Sequence, residues 1–240
     1  MESIEFGDVV CSIEIIGLEG DKYDTIFSLG LSFTLFMGGN LIPVNNYVII
    51  IDNKNKTKKN KTKKDKTKTK DFNKNTISVN SETDLIIKFI ELVEENNVKM
   101  MIGWGLLYFE YKMLQQRSYA LGIIDRLSTI GLVDYNCKNN YYKTNGIIKV
   151  DIYAFNVMYR GENGNLDDIV KFYLPTKSLY ISDDINIHEP QKIYNCQLEI
   201  CKIYNKLFLI FDIWNQTLLF EKHKKEQERT NFKEMFHKVL

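Results

Sequence analysis

Residues 81–122 constrain the fold more than any other stretch, because they read as helix, then buried strand, then a short polar-tipped loop opening a second helix. Ser81, with Asp84 three residues on, has the chemistry of a helix start, and Leu85, Ile86, Phe89, Leu92 and Val93 follow at helical spacing. Residues 98–102 (VKMMI) make a short apolar run of strand length. Phe109, Met113, Leu114 and Leu121 then mark the next helix.

Around this unit the chain offers further elements. Residues 9–16 (VVCSIEII) and 25–36 (TIFSLGLSFTLF) are rich in β-branched and aromatic residues and flank a turn-forming stretch, which predicts a hairpin. Residues 46–52 (NYVIIID) predict a third strand and residues 146–154 (GIIKVDIYA) a later one. Residues 166–174 read as a short amphipathic helix ended by Pro175. A long helix begins near Pro190, a residue suited to a first turn, and carries Leu198, Cys201, Tyr204, Phe208 and Phe211 on one face. Three antiparallel strands followed by alternating helix and strand is the order of an α/β, ribonuclease H-like mixed sheet with helices on both faces. The expected organisation is one domain over 1–220 and a charged helical tail over 221–240.

Charge is segregated. Residues 54–70 hold ten Lys against one Asp, +9, so the remainder of a chain whose total is +1 carries −8. A Lys/Thr/Asn tract has no apolar surface to offset its ordering entropy, so residues 53–75 are expected to be a disordered insertion. It reads either as a phosphate-binding arm or import signal, or as low-complexity expansion in an A+T-biased gene. Cys11, Cys137, Cys196 and Cys201 lack paired spacing, which points to reduced structural thiols. No apolar stretch reaches membrane-spanning length, and no basic-then-apolar leader opens the sequence. The expectation is a cytoplasmic or nuclear location with no membrane partner.

The loop and second helix carry a more specific signal. Gly103-Trp104-Gly105, Phe109-Glu110, Arg117 and Leu121-Gly122-Ile123 together resemble the second exonuclease motif of the proofreading 3′–5′ exonuclease domain of family B DNA polymerases. In that family the motif reads Gly-aromatic-Asn, then Phe-Asp, so Gly105 stands for the Asn and Glu110 for a metal-binding Asp. The family's first motif, Asp-x-Glu, is matched by Ser12-Ile13-Glu14, with Ser12 where the Asp belongs. The third motif places a Tyr four residues before an Asp. It is matched by Asn195 and Glu199, with Tyr194 one residue out of register. Val150-Asp151-Ile152-Tyr153, Leu166-Asp167-Asp168-Ile169-Val170 and Lys177-Ser178-Leu179 resemble intervening family segments.

The resemblance implies the ribonuclease H-like fold, a cleft lined by Ser12, Glu14, Glu110 and Glu199, and nucleic-acid contact through Trp104, Gly105 and Phe109. It implies Mg²⁺ or Mn²⁺ held by Glu14, Glu110 and Glu199 if the domain is active, and no cofactor otherwise. Two-metal hydrolysis needs four carboxylates, and a serine hydroxyl supplies neither the charge nor the bridging geometry of the missing Asp. Glu110 is longer than Asp by one methylene, about 1.5 Å. A misplacement of about 1 Å can cost roughly a hundredfold in rate. Glu199, flanked by Asn195, Lys202 and Lys206, also reads as an ordinary solvated helix residue. The expected function is a catalytically impaired exonuclease-like domain that binds single-stranded nucleic acid or a replication-type protein, the alternative being an active metal-dependent 3′–5′ exonuclease. A divergent replication-type domain on an A+T-biased gene points to a large DNA virus or a protist as source.

If residues 54–70 are a solvated loop, deleting them leaves the thermal midpoint nearly unchanged, since closing a shorter loop lowers the entropic cost only slightly. Calorimetry of the deletion variant checks this, and a large loss of stability would show that the tract packs. If the tract contacts phosphates, the same deletion flattens the salt dependence of nucleic-acid binding.

Overall fold

The computed structural model describes residues 7–18, 25–52, 75–134, 141–160, 164–175 and 189–239. The lysine tract, Cys137 and the 177–179 loop lie outside the described residues. A seven-stranded mixed sheet organises the rest: β1 (Asp8–Leu18), β2 (Thr25–Met37), β3 (Asn40–Ile51), β4 (Thr76–Val79), β5 (Val98–Gly103), β6 (Tyr141–Thr144) and β7 (Ile147–Asp151). Their spatial order is β4-β3-β2-β1-β5-β7-β6. β1, β2 and β3 are antiparallel neighbours, whereas β5 joins β1 and β7 joins β5 in parallel. The helix order is α1 (Glu82–Glu95), α2 (Tyr111–Ala120), α3 (Ile124–Ser128), α4 (Ile152–Arg160), α5 (Leu166–Tyr173), α6 (Pro190–Ile210) and α7 (Ile213–Val239). This is an α/β mixed sheet of the ribonuclease H-like exonuclease type, as the element order predicts.

The two faces of the sheet are covered by different helices. Strand alternation sends Cys11 and Ile13 of β1 into a core with Leu85, Ile86, Phe89, Leu114 and Leu127 of α1, α2 and α3. Val10 points the other way and packs with Ile200, Ile203, Tyr204 and Phe208 of α6, and with Phe155 of α4. Ser12 and Glu14 share the parity of Val10, so both lie on the α6 side. None of the described helices is long and apolar enough to cross a membrane.

Local chemistry sets the element ends. The Ser81 hydroxyl accepts from the Asp84 amide at 3.1 Å and caps α1, as its spacing predicts. Asn165 caps α5 in the same way through the Asp168 amide at 2.9 Å. Pro43 has no amide to donate, and the β2–β3 register slips beside it, from Phe33–Asn45 to Thr34–Pro43. β6 and β7 form a hairpin turning on Asn145 and Gly146, both at positive φ (49° and 77°), the conformation that Asn-Gly favours.

Three details differ from the sequence expectation. The strand expected over 146–154 ends at Asp151, and α4 begins at Ile152, because the Asp151 carboxylate accepts from the Tyr153 amide and starts the helix. β3 begins at Asn40 and so is longer than the run 46–52. A π-helical turn, Leu106–Glu110, precedes α2, and this wider turn puts Leu106 and Leu107 in the core and leaves Phe109 72% exposed. Phe109 is therefore not part of the α2 apolar stripe.

Arg117 of α2 makes a bidentate pair with Glu82 of α1, Nε to Oε1 at 2.8 Å and Nη2 to Oε2 at 2.6 Å. Glu82 also accepts from the Ile26 amide of β2 at 2.8 Å, so one carboxylate ties two helices to the sheet. Arg117→Met leaves that buried carboxylate without its cation, and the expected loss is about 3–5 kcal/mol. Urea unfolding measures it, and a loss under about 1 kcal/mol would show that the pair is not structural.

Candidate functional site

The cleft is built where β1 outruns β5. The parallel pairing of the two strands reaches only Ser12–Ile102, so the β1 edge beyond it is open on that side. Glu110, at the end of the π-helical turn that follows β5, turns back across this gap, and its Oε1 accepts from the Ile15 amide at 3.3 Å. Gly103 makes room for it, since a Cβ there would sit 2.5 Å from Glu110 Oε2. Gly105 opens the turn at φ 69°, ψ 20°, a left-handed conformation that Gly and Asn tolerate best, which accounts for the exchange of these two residue types at this position.

Glu14 and Glu110 thus meet, and their environment disfavours two charges. Burial raises the Glu14 carboxyl to about 7, against hydrogen bonds from Tyr204 and Glu110 that lower it. Burial and the neighbouring Glu14 charge hold the Glu110 carboxyl well above the ordinary range. Glu110 Oε2 is buried with no donor of its own. Two charges side by side are disfavoured, so each carboxyl gives up its proton less readily than a free one. The Tyr204 phenol, kept neutral by burial and the Glu14 charge, donates to Glu14 Oε2.

α6 supplies the other wall. Its turns pass so close to β2 that a Cβ on Gly30 would meet Gln197 Cβ at 2.5 Å, and Gly30 is the register partner of Glu14. Gln197 Nε2 donates to the Glu14 carbonyl at 3.1 Å, and its Oε1 accepts from Ser28 Oγ at 2.7 Å. Cys201 Sγ donates to the carbonyls of Ser12 and Gly30, each at 3.6 Å. Ser12 Oγ donates to Asn205 Oδ1 at 2.6 Å, and Asn205 Nδ2 donates onward to Ser32 Oγ at 3.2 Å.

The structure therefore brings together Ser12, Glu14 and Glu110 but not Glu199 or Asn195. Glu199 is two residues from both Gln197 and Cys201, about 200° round the helix, and faces out. It is exposed and paired with Lys202 at 2.6 Å. Asn195 is exposed and accepts from Gln191 at 3.1 Å. The α6 residues that reach β1 are instead Gln197, Tyr204 and Asn205. The pair Tyr194-Asn195 recurs as Tyr204-Asn205, and that repeat is the sequence signal for the alternative register. Trp104 is partly buried and packs edge-on against Tyr153, ring centroids 5.4 Å apart. Phe109 stands outside, next to Glu110.

Two divalent cations do not fit these residues. The Ser12 hydroxyl is committed to Asn205. Both oxygens of the buried Asp151 carboxylate accept from backbone amides, Oδ1 from Gly105 and Tyr153 at 3.0 Å each and Oδ2 from Leu107 at 3.2 Å. Among the described residues no three His, Cys, Asp or Glu side chains are grouped as ligands for a metal ion. Among the described residues Glu14 and Glu110 lie side by side, and the charge of Asp151 is felt at Glu110.

The family described as DNA polymerase family B, exonuclease domain, matches residues 13–159. The match takes in Glu14, Glu110 and Asp151 and stops short of α6. No curated protein matches the chain.

The Glu14 carboxyl has a folded-state pKa of about 7, above its unfolded value, so its contribution to stability is fully present below about pH 4.5 and is lost as pH rises through 7. Glu14→Gln keeps an acceptor for Tyr204 and removes the charge. The variant is expected to match the wild type near pH 4 and to exceed it by on the order of 1–3 kcal/mol at pH 8. Urea melts across this range test the sign, and a wild-type chain that gains on the variant with rising pH would reverse it.

Proposed function

The chain belongs to the exonuclease-domain family of family B DNA polymerases, and from that membership we propose that it is a catalytically impaired exonuclease-like domain that binds single-stranded nucleic acid. One observation carries the first half: α6 delivers an amide, Asn205, to Ser12, where hydrolysis by two metals needs a carboxylate. A hydroxyl-to-amide bond of 2.6 Å closes the position of the missing Asp with neutral groups. The remaining carboxyl pair is held toward its protonated form by burial, which weakens it as a cation ligand.

The second half rests on Phe109. Phe109, 72% exposed, directly precedes Glu110 of the cleft, and its ring is open to a flat ligand. Nucleobases stack on such rings without sequence preference, at about 1–3 kcal/mol per base. Tyr108, 41% exposed, adjoins it on the same turn. The substrate class of the fold and the aromatic at its mouth favour the same ligand.

Incubating the chain with 5′-labelled oligo(dT) and Mg²⁺ or Mn²⁺ tests the first half, with no shortening expected at enzyme excess. Metal-dependent shortening abolished by Glu14→Ala would promote the alternative of an active 3′–5′ exonuclease. Fluorescence anisotropy with the same oligonucleotide tests the second. Phe109→Ala is expected to weaken binding by about 5- to 100-fold, the equivalent of one stacked base. Unchanged affinity would remove Phe109 from the interface.

A further inference from the structure

Phe109 and Glu110 are consecutive residues with opposite fates, one projecting into solvent and the other buried against β1. What aims them is the start of the π-helical turn, and that start is held from another strand. Asp151, at the end of β7, is fully buried, and it is the acceptor for two amides of the turn, Gly105 at 3.0 Å and Leu107 at 3.2 Å. The same carboxylate caps α4 through the Tyr153 amide at 3.0 Å. One anion thus gathers the N-terminal amides of two helical segments, where unpaired N–H groups and the positive end of the peptide dipoles meet.

We infer that Asp151 is a positioning residue for the nucleic-acid contact, fixing the Leu106–Glu110 turn so that Phe109 stands clear of the cleft while Glu110 closes on Ile15. The inference rests on the reading of Phe109 as a base-stacking residue. The turn has little else to fix its pivot: Gly105 has no side chain, and its carbonyl is taken by the amides of Tyr108 at 3.2 Å and Phe109 at 2.8 Å. Trp104, on the strand side of the pivot, packs on Tyr153, the residue whose amide Asp151 also holds. Both ends of that ring contact therefore depend on the same carboxylate. Asp151 itself has no oxygen left for a ligand, so it acts through the turn.

Asp151→Asn keeps the size of the side chain and turns one acceptor oxygen into a donor, which then faces a backbone N–H. Asp151→Ser keeps a cap for α4 but is too short to bridge Gly105 and Leu107. Either substitution is expected to weaken oligo(dT) binding about tenfold and to add nothing in a Phe109→Ala background, because the effect runs through Phe109. Equal losses in both backgrounds would overturn the inference. Amide exchange in the wild type reads the hydrogen bonds directly: Gly105 and Leu107 are expected to be protected, and to lose protection selectively in the variants while β1 and β5 amides keep theirs. Unprotected Gly105 and Leu107 amides in the wild type would also overturn it, whatever the variants do. With 5-fluorotryptophan, the Trp104 resonance is expected to move in the variants and that of Trp214 to stay, and a static Trp104 resonance counts against the inference. Should the wild type bind no oligo(dT), the stacking reading of Phe109 fails, and the hold of Asp151 on the turn is decided by exchange and by Trp104.

Discussion

Two carboxyl groups set side by side, Glu110 buried and Glu14 partly so, are the constraint around which this structure is arranged. Glu14 and Glu110 cannot both be charged in that position at tolerable cost, since removing a carboxylate from water is penalised and a like charge alongside adds to the penalty. Burial and the neighbouring charge push both carboxyls toward the protonated form, and hydrogen-bond donors oppose that shift. Tyr204 serves Glu14, and the Ile15 amide serves Glu110. Those donors exist only because β1 continues past the end of β5 and because α6 lies almost in contact with Gly30.

The same economy governs the other buried ionisable groups. Lys149 of β7 is fully buried on the α2 side, and burial lowers its ammonium to about 7. It donates to the Ile130 carbonyl at 2.9 Å and lies 4.9 Å from the centre of the Tyr111 ring. Asp151 is raised to about 6 by burial even though backbone amides hold it. Two residues apart on one strand, Lys149 and Asp151 each fasten a loop to the sheet, one the segment after α3 and the other the turn before α2. The segment that carries Phe109, Glu110 and α2 is thus anchored through β7, an element far from it in sequence.

Much of this was readable from residue patterns. The 3.6-residue period over 85–93, the β-branched and aromatic enrichment over 9–16 and 25–36, and Pro190 at a helix start report local burial and local geometry, and α1, β1, β2 and α6 follow them. Where local rules competed, the reading faltered. The run 146–154 (GIIKVDIYA) is rich in β-branched residues on both sides of Asp151, so no change of period marks the switch from strand to helix there. Phe109 fits a helical stripe on paper and is displaced from it by a π-helical turn. The Asn145-Gly146 hairpin was available as a turn signal, although β6 is only four residues long.

For the site the division is sharper. The sequence by itself determined the α/β sheet, the family and the presence of a hydroxyl at Ser12 and of carboxylates at Glu14 and Glu110, because these are matters of residue identity and short-range spacing. Only the tertiary structure decided which face of α6 meets β1. A helix presents a new residue every 100° or so, and a shift of two residues exchanges the buried face for the exposed one. That rotation is fixed by packing, by Gly30 admitting Gln197 and by Cys201, Tyr204 and Phe208 filling the space below the sheet. It turned Glu199 to solvent beside Lys202 and brought Tyr204 and Asn205 onto Glu14 and Ser12. No spacing rule within α6 contains that choice, since it depends on the shape of a surface built from strands nearly two hundred residues away.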